Sequence, residues 1–337
     1  MESIKKVTIK DVARVAGVSI TTVSQVLNGK STRFSKETVE KVRKAKSKLG
    51  YEPNFFAQSM ILKQTNTIGV LVPDISNPFF NSMMHGIEEA LYEQNFMALL
   101  CSADGDQLRE FRYLEELSRR SVDGFIIASS AISNDEISKN LIAKKRPFIL
   151  LDQKMGNDIS DGIQINDFEG GEMAARHLMS LGHREIVVVL PPLEQRPKNI
   201  HNRLAGFTEE VNKYENTNLV LIEAPMNPMG GYQAVGEVMQ SAATAIFAVN
   251  DELAIGLYRG LFEEGKSIPD DYSIMGFDNI EMTEFMSPKL TTVSQPIKKI
   301  GKVAAQIVMS RVADPDLPIR HEKLNVELMI RESTKEI

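Results

Sequence analysis

At 337 residues the chain is too long for one small core, so two or three domains are expected. Hydrophobic content of 42% and charged content of 25% are ordinary for a soluble globular protein, and the single cysteine, Cys101, excludes an internal disulfide framework. The net charge of −6 hides an asymmetry: residues 1–63 hold 13 Lys and Arg against 5 Asp and Glu, the remainder 26 against 40. A basic headpiece on an acidic body points to a polyanion partner for the first segment alone. The start, MESIKKVTIKD, lacks the apolar stretch of a secretory signal. The longest apolar runs, such as FIIA and IVVVL, are strand-sized and too short for a bilayer. A cytoplasmic protein without membrane contact is expected.

The first element is a short helix capped by Thr8, with Asp11 completing a variant capping box and Val12, Ala13, Val15 and Ala16 on its apolar face. Gly17 permits the positive φ of a tight turn. Ser19 caps a second helix, with Val23, Val26 and Leu27 inward at helical spacing and Ile20, Thr21, Ser24, Gln25 and Asn28 outward. A third helix starts at Ser35, turns Val39, Val42, Ala45 and Leu49 inward and stops at Gly50. Helix, glycine turn, helix is the helix-turn-helix, whose second helix enters the major groove of DNA. Gln25 suits a bidentate contact to adenine, and Ser and Thr suit phosphates or base edges.

Next comes YEPNFFAQSMILKQTNTIGV, in which Pro53 is favoured at the first turn of a helix too short to persist alone. A linker or a hinge helix over about 53–61 fits. Headpiece, hinge start and the body together resemble the lactose-repressor family of bacterial transcription factors. That resemblance implies base reading by Ile20, Thr21 and Gln25, and DNA contact from Thr8, Ser19, Thr22, Ser24, Asn28, Tyr51, Asn54 and Ala57. It implies a minor-groove wedge at Met60, where the family has leucine; methionine is apolar and long enough to intercalate but more flexible.

From Thr67 on, strand candidates TIGVLV, MALLC, GFIIA, PFILL, EIVVVL, LVLIEA, AIFAV and SIMGF alternate with amphipathic stretches 81–94, 107–119, 168–181, 203–214 and 297–311. This rhythm predicts parallel sheets covered by helices on both faces, in two doubly wound subdomains. The fold expected is therefore an all-α helix-turn-helix headpiece, residues 1–63, plus an α/β body, residues 67–337.

GLFEEGKS, residues 260–267, fits the phosphate-loop pattern by letter. Leu253, Leu257 and Leu261 form one helical row before it, so Gly260 falls inside a helix and Gly265 ends it. A phosphate loop needs a strand before and a helix after, and this order is inverted. No nucleotide is expected there.

Ligands of parallel α/β sheets bind beyond the carboxyl ends of strands. At those ends the chain places SNPFF, DQK, ND, DN and SQP. Asp152 and Asp278 suit sugar hydroxyls, Arg203 offers a charged fork, and Phe79 and Phe80 suit the apolar face of a sugar ring. The body resembles the periplasmic sugar-binding fold, and its pocket the ribose binders. The resemblance implies ligand contacts from Asn77, Phe79, Phe80, Asp152, Arg203, Asn250, Asp278 and Gln295. Gln153 and Met226 stand at contacting positions where those binders have arginine and phenylalanine.

The expected function is repression of a sugar operon, ribose favoured, by a homodimer on operator DNA that sugar releases. The chain stops directly after the last strand candidate, without a heptad tail for a tetramer. Neither a cofactor nor a metal is expected. An enzyme is disfavoured, since none of the five histidines lies in a metal or nucleophile motif. Family members answering to a phosphoprotein partner, or using their ligand as co-repressor, keep the sign of the response open.

Overall fold

The computed structural model describes residues 7–29, 31–52, 64–128, 132–151 and 159–337. The chain separates into two compact units, Met1–Thr65 and Asn66–Ile337. The expected hinge helix at 53–61 lies outside the described residues.

Among the described residues of the first unit, three α-helices pack together: α1 (Ile9–Ala16), α2 (Ile20–Leu27) and α3 (Lys36–Leu49). Thr8 donates its amide and hydroxyl to the Asp11 carboxylate at 3.1 and 2.8 Å, which fixes the start of α1. Gly17 takes φ 65° and turns the chain into α2, where Ser19 Oγ accepts the Thr22 amide at 3.0 Å. Val12, Ala13, Val23, Val26, Val42 and Ala45 close the core, with Val39 and Leu49 half-buried beside it. Val15, expected on the apolar face, is instead 45% exposed. Its neighbours Val12, Ala13 and Ala16 already fill the inward stripe, so the fourth apolar residue of an eight-residue helix falls outside it.

The second unit alternates strand and helix: β1 (Thr67–Val72), α4 (Pro78–Glu93), β2 (Met97–Ser102), α5 (Gln107–Arg119), β3 (Gly124–Ile127), α6 (Asn134–Ile137), β4 (Phe148–Leu151), β5 (Asp161–Ile165), α7 (Asp167–Ser180), β6 (Glu185–Leu190), α8 (Lys198–Val211), β7 (Asn218–Glu223), α9 (Pro228–Gln240), β8 (Ala245–Ala248), α10 (Asp251–Glu263), β9 (Ser273–Asp278), β10 (Thr291–Ser294), α11 (Ile297–Ala313), β11 (His321–Leu324) and β12 (Glu327–Met329). They form two six-stranded sheets, ordered β11-β5-β4-β3-β1-β2 and β12-β10-β9-β8-β6-β7. Both are parallel except at one edge, where β12 runs antiparallel to β10. Of the apolar runs expected as strands, MALLC and LVLIEA became the edge strands β2 and β7, and the other six lie inside the sheets. The polar segments DGIQI, HEKL and ELM became β5, β11 and β12, and the last two hold sheet edges.

Helices α4 and α8 start earlier than the periodicity suggested, because Pro78 opens one and Pro197 caps the other. The chain passes between the two sheets three times: between β5 and α7, between β10 and α11, and between β11 and β12. Helices α7 and α8 lie unusually close. A Cβ at Gly171 would strike the Arg203 carbonyl, and one at Gly206 the Phe168 carbonyl. This approach carries the start of α7, at a crossing, up to the side chain of Arg203.

Candidate functional site

Between the two sheets of the second unit lies a cavity of about 490 Å³, lined at the carboxyl ends of strands from both. From the β1 side, Asn77 caps α4 by accepting the Phe79 amide at 2.8 Å. The cap fixes Phe79 and Phe80, whose rings meet edge to face at 5.2 Å between centroids and 84° between planes. Just before them, Asp74 accepts the Ser76 amide at 2.8 Å and the Ser76 hydroxyl at 2.7 Å.

The other wall is organised by Arg203, only 2% exposed. It donates Nη2 to Asp167 Oδ1 at 2.8 Å and Nη1 to the Val249 carbonyl, and Nη1 lies 4.0 Å from Asp278 Oδ1. The guanidinium sits 3.3 Å above the centroid of the Phe277 ring. Its Nε is a buried donor with no partner among the described residues. Burial pushes the carboxyls of Asp167 and Asp278 up, and the Arg203 charge beside them pulls both back. Gln295 donates Nε2 to Asp278 Oδ1 at 2.6 Å, and Asn250 caps α10 by accepting the Leu253 amide at 3.0 Å.

Asp278 and Asn279 adopt φ of 122° and 60°, the left-handed region that costs a side-chain-bearing residue energy. Asp251, fully buried beneath them, holds this turn. Its Oδ2 accepts the Ile280 amide at 2.9 Å and its Oδ1 the Thr292 hydroxyl at 2.7 Å. Gly276 leaves the room, since a Cβ there would collide with the Asp251 carboxylate. Burial pushes the Asp251 carboxyl up to about 7, against the pull of those hydrogen bonds. Its neighbour Glu252, half-buried in the cavity lining, is also pushed up to about 7, by desolvation and by the charge of Asp74.

Asn77, Phe79, Phe80, Arg203, Met226, Asn250, Asp278 and Gln295 thus all line one cavity, whereas Asp152 and Gln153 lie outside the described residues. Sequence reasoning missed Asp74, Asp167, Asp251 and Glu252. In sequence each reads as a turn or first-turn helix acid, and only the fold reveals its partner.

In the first unit, Ile20 and Thr21 are exposed at the start of α2, with Thr22, Ser24, Gln25 and Asn28 half-buried along it. Ser19 and Thr22 share a hydroxyl contact of 2.8 Å, and Ser24 Oγ accepts Asn28 Nδ2 at 3.3 Å. Thr8 is exposed at the start of α1. Tyr51 packs into the core at 8% exposure, because it follows the Gly50 turn that folds the chain back on α3. Asn54, Ala57 and Met60 lie outside the described residues. At GLFEEGKS, Gly260 is inside α10 and Gly265 takes φ 71° just past its end, as expected. Among the described residues no cluster of metal-ligating side chains occurs, and no helix is long and apolar enough to cross a membrane.

Residues 8–54 match the family model for bacterial regulatory proteins of the lacI family, and residues 175–334 that for a periplasmic binding protein-like domain. The chain is 36% identical to the HTH-type transcriptional repressor PurR of Photobacterium profundum, over 98% of this chain and 99% of that protein. It is 33% identical to the ribose operon repressor of Escherichia coli K12, over 97% and 99% respectively. A crystal structure of a LacI family transcriptional regulator from Enterococcus faecium with bound ribose superposes with a TM-score of 0.76 at 49% identity. It covers 80% of this chain and 99% of that one.

Proposed function

The chain belongs to the lacI family of bacterial regulatory proteins, and from that membership we propose that it represses a ribose operon and is released from operator DNA by ribose. It is a DNA-binding transcriptional repressor with a sugar-binding effector domain, not an enzyme. The finer reading, ribose as effector, is carried by one observation. The polar group Arg203, Asp278 and Gln295 shares its cavity with the Phe79–Phe80 pair from the other subdomain. Charged and amide groups on one wall suit hydroxyls, and aromatic faces on the other suit the apolar side of a sugar ring. The ribose-bound relative supports this choice of sugar.

In this reading the exposed start of α2 enters the major groove, with Ile20, Thr21 and Gln25 on bases and Thr8, Ser19, Thr22, Ser24 and Asn28 nearby. Two headpieces of a cytoplasmic homodimer read a pseudo-palindrome. Edge strands β2 and β7 expose Met97, Leu99 and Leu221, apolar surface suited to a second copy. The same reading assigns DNA contacts to Asn54, Ala57 and Met60 and effector contacts to Asp152 and Gln153. Sugar loosens DNA only as far as it prefers the arrangement with low operator affinity. A second reading keeps the same cleft but has its ligand act as co-repressor. Operator binding measured with and without ribose, other pentoses, hexoses and purines tests both. Release by ribose supports the first, and tightening by a ligand supports the second.

A further inference from the structure

Asp278 lines the cavity from a turn in which it and Asn279 both hold positive φ, 122° and 60°. Asp251 braces one flank of this turn, at the Ile280 amide and the Thr292 hydroxyl. A second brace comes from Arg331, which follows β12 and lies outside the cavity's described lining. Its side chain is only 8% exposed. Nη2 donates to Asn279 Oδ1 at 2.7 Å and also to Glu284, and Nη1 donates to the Leu290 carbonyl at 2.7 Å. The Arg331 amide donates to Thr291 Oγ1 at 3.0 Å, which anchors the fork at its base.

Asn279 carries this constraint into the cleft. Its Nδ2 donates to Ser294 Oγ at 3.0 Å, at the end of β10. The next residue, Gln295, donates Nε2 to Asp278 Oδ1 at 2.6 Å and its amide to the Asp278 carbonyl at 3.2 Å. Asp278, Asn279, Ser294 and Gln295 thus form a closed ring of covalent and hydrogen bonds, and Arg331 grips that ring from outside the cavity. The planar guanidinium suits the task, because it presents several donors in fixed directions and reaches three chain segments at once. Burial pushes the neighbouring Asp251 carboxyl up, and its hydrogen bonds and the charge of Arg331 pull it back.

We infer that Arg331 is a positioning residue for effector binding: its fork fixes Asn279, and through Asn279 the geometry in which Asp278 and Gln295 meet the ligand. The inference rests on the proposal that the cavity is the effector site, and adds a residue outside the cavity on which affinity depends. The contact to Glu284 is the lesser half of the bracket, since that side chain is 47% exposed and water screens the pair.

The test is calorimetric titration of the full chain and its variants with ribose, at a temperature where circular dichroism shows each protein folded. Arg331→Lys keeps the charge, but one ammonium cannot hold Asn279, Glu284 and the Leu290 carbonyl together. Ribose affinity is expected to fall about tenfold, the effect of one lost hydrogen bond to a charged group. Asn279→Gly accepts the positive φ without strain and removes the side chain that the fork grips, so a similar fall is expected. The double variant should fall no further, because both changes cut one path. Glu284→Ala should leave ribose affinity within about twofold of the original.

A merely structural bridge would lower the urea midpoint of Arg331→Lys and leave the ribose affinity of the folded protein unchanged; that result overturns the inference. Losses that add in the double variant overturn it too, since Arg331 would then not act through Asn279. Should Arg331→Lys not fold, Asn279→Gly decides alone, and unchanged ribose affinity there overturns the inference while the sugar cleft stands. If ribose gives no heat with the original protein, the pentose or hexose that binds takes its place in every arm. Silence from all of them removes the effector reading and this inference together.

Discussion

Arg203 and Asp167 meet at 2.8 Å across 36 residues of sequence, and both are almost wholly shielded from solvent. The contact ties the ligand cleft to the first crossing between subdomains, because Asp167 is the first residue of α7. It has an energetic consequence. Removing one member of a buried ion pair leaves the other charged and desolvated, at a cost of about 3–5 kcal/mol. Arg203→Ala is therefore expected to lose sugar binding and also to lower the midpoint of urea unfolding. Arg203→Met combined with Asp167→Asn is expected to recover much of that stability while sugar binding stays lost. Equal destabilisation by the single and double variants would show that the pair contributes nothing through its charge.

Asp251 reaches no described ligand position but holds the turn that presents Asp278. In Asp251→Ala no acceptor remains for the Ile280 amide or the Thr292 hydroxyl. Losing such a hydrogen bond costs about 1–3 kcal/mol when the remaining group stays buried. The positive φ at Asp278 and Asn279 relaxes with it. Sugar affinity is expected to fall while operator affinity in the absence of sugar stays near that of the original protein. Calorimetry for the first and fluorescence anisotropy for the second separate the two; sugar affinity unchanged by the substitution would remove the clamp.

Much of the fold was legible because its signals are local. Thr8, Gly17, Ser19 and Gly50 set the headpiece turns by their own chemistry, and the apolar runs of β1, β3 and β6 are unmistakable strands. The glycines of GLFEEGKS could be placed against the leucine row ahead of them. What stayed hidden is non-local. Edge strands β11 and β12 carry little apolar signal because they are covered on fewer sides. Asp167 and Asp251 resemble ordinary first-turn acids, and nothing near them in sequence shows that Arg203 or the Asp278 turn is their partner. Resemblance to known sugar binders supplied the expected contact positions, whose described members line one cavity, but not the acids that brace them.

The headpiece gives a prediction independent of the cleft. Gln25 lies half-buried on α2, and a bidentate contact to adenine is worth about 1–3 kcal/mol of discrimination. Gln25→Ala is expected to weaken binding to the preferred operator by that amount and to leave random DNA almost untouched. Both complexes should weaken steeply with salt as Lys and Arg displace condensed counterions. Anisotropy titrations on the two DNAs over a salt series are the check, and an equal loss on random DNA would make Gln25 a phosphate contact.

A pH dependence follows from the last residues of the chain. His183 donates Nε2–H to the Lys335 carbonyl at 3.1 Å and accepts from the Thr244 hydroxyl at 2.8 Å, while His177 contacts the Thr334 hydroxyl at 2.9 Å. Burial holds both imidazoles below the usual range, which favours their neutral forms in the folded protein. Once unfolded they take up protons as pH falls through about 6.5. Below that value the unfolded state binds more protons, so stability is lost with acidification and is fully present above it. His183→Gln is expected to be less stable at pH 8 yet to lose less on going from pH 7 to pH 5. Urea midpoints at four pH values measure the difference, and parallel curves for the two proteins would sink it.

The sign of the regulatory response can be read from binding alone. If ribose weakens operator binding by some factor, operator must weaken ribose binding by the same factor, because both describe one coupling free energy. Such factors usually lie at about 5–150-fold, within reach of calorimetry. Ribose titrated into the free protein and into the operator complex should therefore give two affinities whose ratio equals that of operator affinities measured with and without ribose. The Arg203→Met, Asp167→Asn protein is the control, since it should bind operator equally with and without sugar. Agreement of the ratios with weaker ribose binding on DNA establishes ribose as an inducer. Tighter ribose binding on DNA makes it a co-repressor. Equal ribose affinities for free and operator-bound protein would mean that ribose occupies the cleft without controlling DNA, and that another ligand or partner does.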